Sequence, residues 1–252
     1  MRIARFSYGE GVAFGIVEDD LVVPIVGHPF APIERTDIRL ARAELRLLAP
    51  VLPSKVVAIG KNYASHAAEM GGDVPEQPLI FLKPSTSVIA DRDAIASPPS
   101  SERVDFEGEL AVVISRLCRD VPVERAMDVV LGYTCANDVT ARDQQCSDGQ
   151  WSRAKGYDTF CPLGPWIETE VDPADLAIST TLNGEVKQQS RTSLIVHKIP
   201  ELIAYITACM TLLPGDVILT GTPDGVGPML VGDEVRVEIE GIGTLTNPVV
   251  AR

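Results

Sequence analysis

Two glutamates separated by a single residue, Glu107 and Glu109, are the side chains whose type and spacing suggest chemistry most directly. They lie in the stretch 105–114, which alternates at its start and then becomes continuously apolar, as β-strands entering a core do. Positions two apart on a strand share a face, so Asp105 is predicted to point the same way. Burying unpartnered carboxylates is costly. The pattern therefore predicts a divalent metal with oxygen ligands, and scattered solvated acids are the alternative.

A histidine and a glutamate three residues apart, His66 and Glu69, form a second candidate group. On a helical turn this spacing brings the two side chains together. A carboxylate beside an imidazole orients the ring and raises its basicity, which suits a general base. A surface helix with an incidental ion pair has the same spacing, so both interpretations stay open on these residues alone.

Further polar residues lie at the ends of predicted strands. Asp138 follows the strand 132–136 and would be a good third oxygen ligand. Lys83 ends the strand 79–84 and is either solvated or functional. Thr222 belongs to the loop 221–227, whose backbone N–H groups and hydroxyl suit a carboxylate or an oxyanion, although a simple turn would look the same.

The elements that must position these residues are mostly strands. Apolar runs predict strands at 56–60, 79–84, 105–114, 132–136, 217–220, 235–239 and 243–249. An Asn-Gly pair predicts a hairpin over 178–186. Helices are predicted at 41–48, 122–131 and 200–213. The polar stretch 144–165 has little periodicity and is predicted to be irregular, as functional segments often are.

Length and composition limit the classes of protein. The 252 residues suffice for one large domain or one domain plus a small one. We predict a small strand-rich region over 1–53 and a main domain over 54–252. A formal net charge of −13 argues against nucleic acid or an acidic membrane surface as partner.

The cellular compartment is inferred from what the sequence does not contain. No apolar run is long enough to span a membrane, and the first residues do not form the apolar core of a signal peptide. The five cysteines are odd in number and have no C-x-x-C spacing, so reduced thiols in a cytoplasmic protein are expected and a zinc site is not.

Taken together, these motifs resemble the fumarylacetoacetate hydrolase family over about residues 55–250. The ordered set is highly specific, and it looks most like the short bacterial members and the acylpyruvate hydrolases. The residues that carry the resemblance are Gly60-Lys61-Asn62-Tyr63 with His66 and Glu69, Phe81-Leu82-Lys83-Pro84, Asp105-Phe106-Glu107-Gly108-Glu109-Leu110, Gly132-Tyr133-Thr134, Asn137-Asp138-Val139-Thr140-Ala141-Arg142-Asp143, Lys155-Gly156 with Asp158, Leu182-Asn183-Gly184-Glu185, and Pro214-Gly215-Asp216 with Thr220-Gly221-Thr222-Pro223.

The resemblance implies an α+β, β-rich fold, a mixed β-sandwich roll with short helices, in a protein that is usually a homodimer. It implies a Mg²⁺, Mn²⁺ or Ca²⁺ site made by Glu107, Glu109 and Asp138. His66 and Glu69 become a dyad that activates water, and Lys155 a catalytic residue that stabilises negative charge. The residues implied to bind substrate are Lys61, Tyr63, Lys83, Arg142, Gln145 and Thr222. Lys61 stands where close relatives often have Arg or Leu.

The implied reaction is hydrolysis of a C–C bond in a small 2-oxo acid through a metal-stabilised enolate. The substrate would be an acylpyruvate or a 2-oxo dicarboxylate such as fumarylpyruvate. The same enolate would serve a 2-hydroxyhepta-2,4-diene-1,7-dioate isomerase, a keto–enol tautomerase or an oxaloacetate decarboxylase. None of these needs an attacking water, so the dyad favours hydrolysis. A non-catalytic metal-binding protein is the remote alternative.

Overall fold

Strands form most of the regular structure in the computed structural model, which describes residues 1–9 and 11–252. The strands are β1 Arg2–Tyr8, β2 Gly11–Glu18, β3 Leu21–Pro24, β4 Leu40–Ala41, β5 Arg46–Leu48, β6 Val56–Gly60, β7 Leu79–Lys83, β8 Val88–Ile89, β9 Ile95–Ser97, β10 Val104–Phe106, β11 Gly108–Ile114, β12 Val130–Asn137, β13 Thr140–Ala141, β14 Cys161–Glu168, β15 Ala177–Leu182, β16 Glu185–Arg191, β17 Val217–Leu219, β18 Gly227–Pro228, β19 Glu234–Ile239 and β20 Gly243–Ala251. The helices are α1 Ala64–Glu69, α2 Arg142–Asp148, α3 Ser152–Gly156 and α4 Ile199–Cys209. The predicted α+β, β-rich class is confirmed.

One large mixed sheet organises the molecule. Its strands follow the order β4-β3-β2-β1-β14-β12-β11-β17-β6-β7, and a second sheet has the order β16-β15-β19-β20-β9. Alternate side chains of β11 enter two different cores, because successive residues of a strand point to opposite faces. Leu110, Val112 and Ile114 pack with α4 and the second sheet, whereas Ala111 and Val113 pack with β6, β14 and β17.

Four neighbouring strands of the large sheet end or begin at one edge. Strand β11 is antiparallel to both β12 and β17, and β17 is parallel to β6. The start of β11 therefore lies beside the ends of the other three strands. This arrangement brings Glu107, Asp138, Lys61 and Thr222 to one end of the sheet, although they are far apart in sequence.

The N-terminal strands extend the large sheet. Strand β1 pairs with β2, β5 and also β14, where Ile3 lies opposite Ile167. The residues before 53 thus share a sheet with those that follow. The division into regions 1–53 and 54–252 stays a prediction.

Some local predictions were wrong. Long-range strand pairing explains the first of these errors. The segment 41–48 is not an α-helix, because its two ends pair with β3 and β1 around a 3₁₀ turn at Arg42–Glu44. The segment 122–131 is a 3₁₀ helix, Val123–Val129, followed by the start of β12. The stretch 144–165 is not irregular: it contains most of α2, all of α3 and the start of β14. Helices this short show little periodicity.

Candidate active site

Three buried carboxylates meet at the edge where β11 begins. Glu107 lies between β10 and β11, where the predicted strand 105–114 is interrupted, Glu109 lies on β11, and Asp138 follows β12. One carboxylate oxygen from each lies within 4.8 Å of the others. Asp105 is not part of this triad. It accepts hydrogen bonds from Arg103 and Arg142 instead.

Two buried lysines contact the same triad. Lys155 donates to Glu107 Oε2 at 2.8 Å and to Asp138 Oδ2 at 2.6 Å. Lys83 donates to the other carboxylate oxygen of Asp138. The Lys83 side chain is 0% exposed, so the interpretation of a solvated lysine at a strand end does not apply.

The three carboxyl groups differ in their electrostatic surroundings. Burial acts to raise the pKa of Glu107, but the charges of Lys155 and Arg142 outweigh it and hold the pKa well below its usual range. Burial raises the pKa of Glu109 well above its usual range, and the charges of Asp138 and Glu107 raise it further. Glu109 accepts a hydrogen bond from the Gly221 N–H at 2.7 Å. Among residues 1–9 and 11–252, no side-chain nitrogen of lysine or arginine lies within 4 Å of the Glu109 carboxylate oxygens.

This donor set fits a hard divalent cation. Mg²⁺, Mn²⁺ and Ca²⁺ prefer carboxylate oxygens, and a positive charge beside Glu109 would relieve the repulsion within the triad. Glu107, Glu109 and Asp138 are therefore the residues that could hold a metal.

His66 and Glu69 are in contact on α1, which ends at Glu69. His66 Nδ1 lies 3.2 Å from Glu69 Oε2, and Glu69 Oε1 accepts a hydrogen bond from the Gly225 N–H at 3.0 Å. The histidine is 5% exposed, so the surface-helix alternative does not describe it. With a proton on Nδ1 donated to Glu69, Nε2 is left as a proton acceptor.

A cavity of about 170 Å³ brings most of the predicted site residues together. The predicted residues that line it are Lys61, His66, Glu107, Glu109, Asp138, Arg142, Gln145, Lys155 and Thr222. Glu69 and Lys83 lie behind this surface and contact lining residues. Tyr63 is also buried behind it, and its hydroxyl has no hydrogen-bond partner in the described part of the chain.

An apolar wall completes the cavity, and the sequence did not assign it to the site. Phe81 and Trp151 meet edge to face with ring centroids 5.2 Å apart, and Lys155 Nζ lies 5.1 Å from the Phe81 ring centre. A Cβ atom on Gly60 would lie 2.6 Å from Trp151, so this wall requires glycine there. Phe81 could have been found from the period of β7, since it shares a face with Lys83.

A buried amide, Gln188, was also missed. Its Oε1 accepts from the Gly108 N–H at 2.9 Å, and its Nε2 donates to Thr222 Oγ1 and to the Pro223 carbonyl, both at 2.8 Å. It therefore joins the start of β11 to the loop after β17. The exposed strand on which it lies carried no signal for this role.

The comparisons with known proteins agree with this geometry. Residues 55–250 match the family described as "Fumarylacetoacetate (FAA) hydrolase C-terminal", and residues 1–50 match "Rv2993c-like, N-terminal". The chain belongs to the fumarylacetoacetate hydrolase family. Within the described residues, no helix of this family member is long and apolar enough to cross a membrane.

Curated members of the family include proteins whose sequences are similar to that of this chain. Protein Rv2993c of Mycobacterium tuberculosis is 56% identical over 100% of this chain and 99% of its own length. The mitochondrial oxaloacetate tautomerase Fahd2a of Rattus norvegicus is 45% identical over 84% of this chain and 71% of its own.

Solved structures of the family cover the whole chain. The 5-carboxymethyl-2-hydroxymuconate delta-isomerase from Mycobacterium smegmatis is 54% identical, with a TM-score of 0.95 and 100% of both chains covered. The 2-hydroxyhepta-2,4-diene-1,7-dioate isomerase from Mycobacterium marinum is 52% identical, with a TM-score of 0.94 and 100% and 99% covered. Maleylpyruvate hydrolase from Sphingobium sp. SYK-6, in complex with manganese(II) and pyruvate, is 33% identical, with a TM-score of 0.84 and 100% and 99% covered. The family thus includes isomerases, a hydrolase and a tautomerase.

Proposed function

We propose that this protein is a divalent-metal-dependent hydrolase that cleaves a C–C bond in a small 2-oxo acid of the acylpyruvate or fumarylpyruvate type. The observation that carries the proposal is that His66, which Glu69 contacts from behind, lines the same small cavity as the carboxylate triad. Hydrolysis needs both a general base for water and a site that binds the 2-oxo acid.

The triad would hold the metal, Mg²⁺ or alternatively Mn²⁺ or Ca²⁺. A cation held there would supply a Lewis acid for the 2-oxo acid end of the substrate. Manganese in the related maleylpyruvate hydrolase supports this assignment. The substrate's distal carbonyl would then lie farther along the cavity, within reach of a water that His66 activates.

His66 moves the proton in this mechanism. Its Nε2 takes a proton from water while the water oxygen bonds to the distal carbonyl carbon. The C–C bond breaks, and its electron pair passes into the enolate of the 2-oxo acid that leaves. The proton on Nε2 then passes to the enolate carbon of the leaving 2-oxo acid, the carbon that took the electron pair of the broken bond. Glu69 holds the ring through Nδ1 and stabilises its charged form, while the Gly225 N–H holds Glu69.

Lys155 stabilises the negative charge that develops on the substrate. An ammonium has three N–H donors, and Lys155 uses two on Glu107 and Asp138. The third remains available to the cavity that Lys155 lines. Arg142, which donates to Asp105, Glu107 and Gln145, keeps the triad and Gln145 in place.

An isomerase or tautomerase is the second candidate. The two mycobacterial structures named as isomerases are more similar to this chain than the hydrolase is. These reactions use the same binding site for the 2-oxo acid but need no attacking water. They would depend on His66 only if it shuttles a proton on substrate carbon.

Replacing His66 with Ala tests the proposal. We expect hydrolysis of acetylpyruvate or fumarylpyruvate to fall about 10²–10⁴-fold, the usual contribution of a positioned general base. Metal affinity should stay near that of the wild type, because His66 is not a proposed ligand. Steady-state kinetics on these substrates, on oxaloacetate and on a 2-hydroxyhepta-2,4-diene-1,7-dioate provide the measurement.

His28→Ala is the matched control, since His28 is exposed and lies outside the cavity lining. If His66→Ala hydrolyses acylpyruvates at the wild-type rate, the role in water activation is wrong. If the wild-type protein isomerises the dienedioate and does not hydrolyse acylpyruvates, the second candidate replaces the first.

A further inference from the structure

Two carboxylates hold the buried ammonium of Lys155, and both are shared with other cations. Lys155 donates to Glu107 and to Asp138, and its side chain is 2% exposed. Glu107 also accepts from Arg142. Likewise, Asp138 accepts from Lys83. Because burying a charge is costly unless its partners compensate for it, any further group that attracts this ammonium matters for its position.

The aromatic ring of Phe81 is such a group. Lys155 Nζ lies over this ring, 5.1 Å from its centre. An aromatic ring carries negative charge on its faces and attracts a cation within about 6 Å of its centre. The attraction is stronger where water is excluded, as it is around a lysine that is 2% exposed. In the described part of the chain, no other phenylalanine has a cation over its ring.

Neighbouring residues hold the Phe81 ring in place. Phe81 lies on β7 opposite Ala58 of β6, and Trp151 meets its ring edge to face. Trp151 also directly precedes helix α3, and its carbonyl accepts from the Lys155 N–H at 2.9 Å. The same tryptophan therefore supports both the ring and the helical turn that carries the ammonium.

We propose that Phe81 is a positioning residue that acts through Lys155. The face of its ring holds the ammonium between the two carboxylate partners, so that the third N–H points into the cavity. This inference rests on the proposed function, in which Lys155 stabilises negative charge on the substrate. The side chain of lysine is flexible, and a displaced donor loses much of its effect on a reacting group. An apolar wall needs only the shape of Phe81, whereas this role needs the negative charge on its ring face.

The experiment changes the charge on the ring face and keeps the shape of the side chain. 4-Fluoro-, 3,5-difluoro- and 3,4,5-trifluorophenylalanine are incorporated at position 81, because each added fluorine withdraws electrons from the ring and weakens its attraction for a cation. The same series at Phe6 is the matched control, since Phe6 is buried and, within the described residues, has no cation over its ring. A third series is made at position 81 of Lys155→Met, which removes the charge and nearly keeps the length of the side chain.

Three measurements follow each series. Free energies of unfolding are measured in urea with excess chelator, oxalate affinity by titration calorimetry with Mg²⁺, and kcat with fumarylpyruvate. We expect the equilibrium constant of unfolding to increase with each fluorine at position 81, by about 2–30-fold over the series, the usual strength of such a contact. Oxalate affinity and kcat should fall in the same order, by about tenfold at the third fluorine. The series at Phe6 and the series in Lys155→Met should show no such loss of stability.

The two proposals fail separately. Stability that stays constant along the series at position 81, or that falls equally in Lys155→Met, overturns the contact between ring and ammonium. If Lys155→Met does not fold, the series at Phe6 supplies the comparison. Stability that falls while oxalate affinity stays constant shows a contact that only stabilises the fold, which overturns the positioning role. If both fall as expected but the wild type hydrolyses neither acetylpyruvate nor fumarylpyruvate, the positioning role stands and the proposed function is wrong.

Discussion

Gln188 is a buried amide whose three hydrogen bonds hold the two sides of the carboxylate site together. It accepts from the Gly108 N–H, and Gly108 separates the two glutamates of the triad. It donates to Thr222. The residue before Thr222, Gly221, donates its N–H to the Glu109 carboxylate. The hydrogen bonds of Gln188 go to Gly108, Thr222 and Pro223 and not to the triad side chains, so it acts as a positioning residue.

We expect Gln188→Met to weaken metal binding by about 10–100-fold, the usual effect of losing a group that orients ligands. Unpaired N–H and hydroxyl groups should also lower the free energy of unfolding by about 1–3 kcal/mol. The measurements are metal titration and denaturant unfolding. Gln189→Met, on the adjacent exposed position, is the control and should leave both unchanged. Metal affinity equal to the wild type in Gln188→Met would rule out the positioning role.

At the scale of elements, the parallel pair β6–β17 delivers both Lys61 and the Thr222 loop to the site. The buried carboxylate of Asp216 links the residues just before these two strands. It accepts from Ser54 N and Oγ, from Lys55 N and Nζ, and from the Leu213 N–H. These bonds fix the register in which Val217 lies opposite Val56.

The hydrogen bonds of Asp216 make the stability of the β6–β17 pair depend on pH. Burial acts to raise the pKa of Asp216, but hydrogen bonds from Lys55, Leu213 and Ser54 outweigh it, so the pKa lies below its usual value. A depressed pKa in the folded state stabilises the protein above the pKa of the unfolded state, about 3.9, and this stabilisation is lost as the pH falls through the folded pKa.

We therefore expect Asp216→Asn to lower the free energy of unfolding by about 1–3 kcal/mol near pH 7. The difference from the wild type should shrink as the pH falls below about 4, because the unfolded wild type then binds a proton that the folded protein binds only at lower pH. Urea unfolding across pH 3–7 provides the measurement. Asp175→Asn removes an exposed partner of Arg191 and should have little effect at any pH. A constant difference across this range would show that the charge of Asp216 is not the cause.

At the scale of the whole molecule, the triad joins parts of the chain that are distant in sequence. Glu107 and Glu109 come from the β10–β11 region and Asp138 from the end of β12, while Lys155 of α3 and Lys83 of β7 brace them. A cation bound to the folded triad would therefore stabilise the entire large sheet.

We expect Mg²⁺ at about 100 times its dissociation constant to add about 2.7 kcal/mol to the free energy of unfolding. For a domain of this size, that raises the melting temperature by about 5–10 °C. Scanning calorimetry with Mg²⁺ and with excess chelator provides the measurement. Glu109→Gln should show no Mg²⁺-dependent shift, and without metal it should be no less stable than the wild type, because it reduces repulsion within the triad. Identical melting curves of the wild type with Mg²⁺ and with chelator would exclude this metal site.

Local sequence patterns were enough to predict much of the fold and the centre of the candidate site. Three of the sequence patterns depend on backbone periods of only a few residues. They are the alternation at Glu107 and Glu109, the i,i+3 spacing of His66 and Glu69, and the Asn183-Gly184 turn. In the structure, Glu107 and Glu109 lie side by side at the site, and the His66–Glu69 contact and the β15–β16 hairpin both form. The sequence alone determined these features because their geometry is set within one or two turns of chain.

Only the tertiary structure decided which polar side chains are buried and what they contact. Lys83 looks like any lysine at a strand end until Asp138, 55 residues away, becomes its partner. Gln188 acquires its role from Gly108, 80 residues away. The segment 41–48 is drawn out of a helix by pairing with β1 and β3. Such contacts depend on which strands become neighbours in the sheet, and no local period of the sequence encodes that choice.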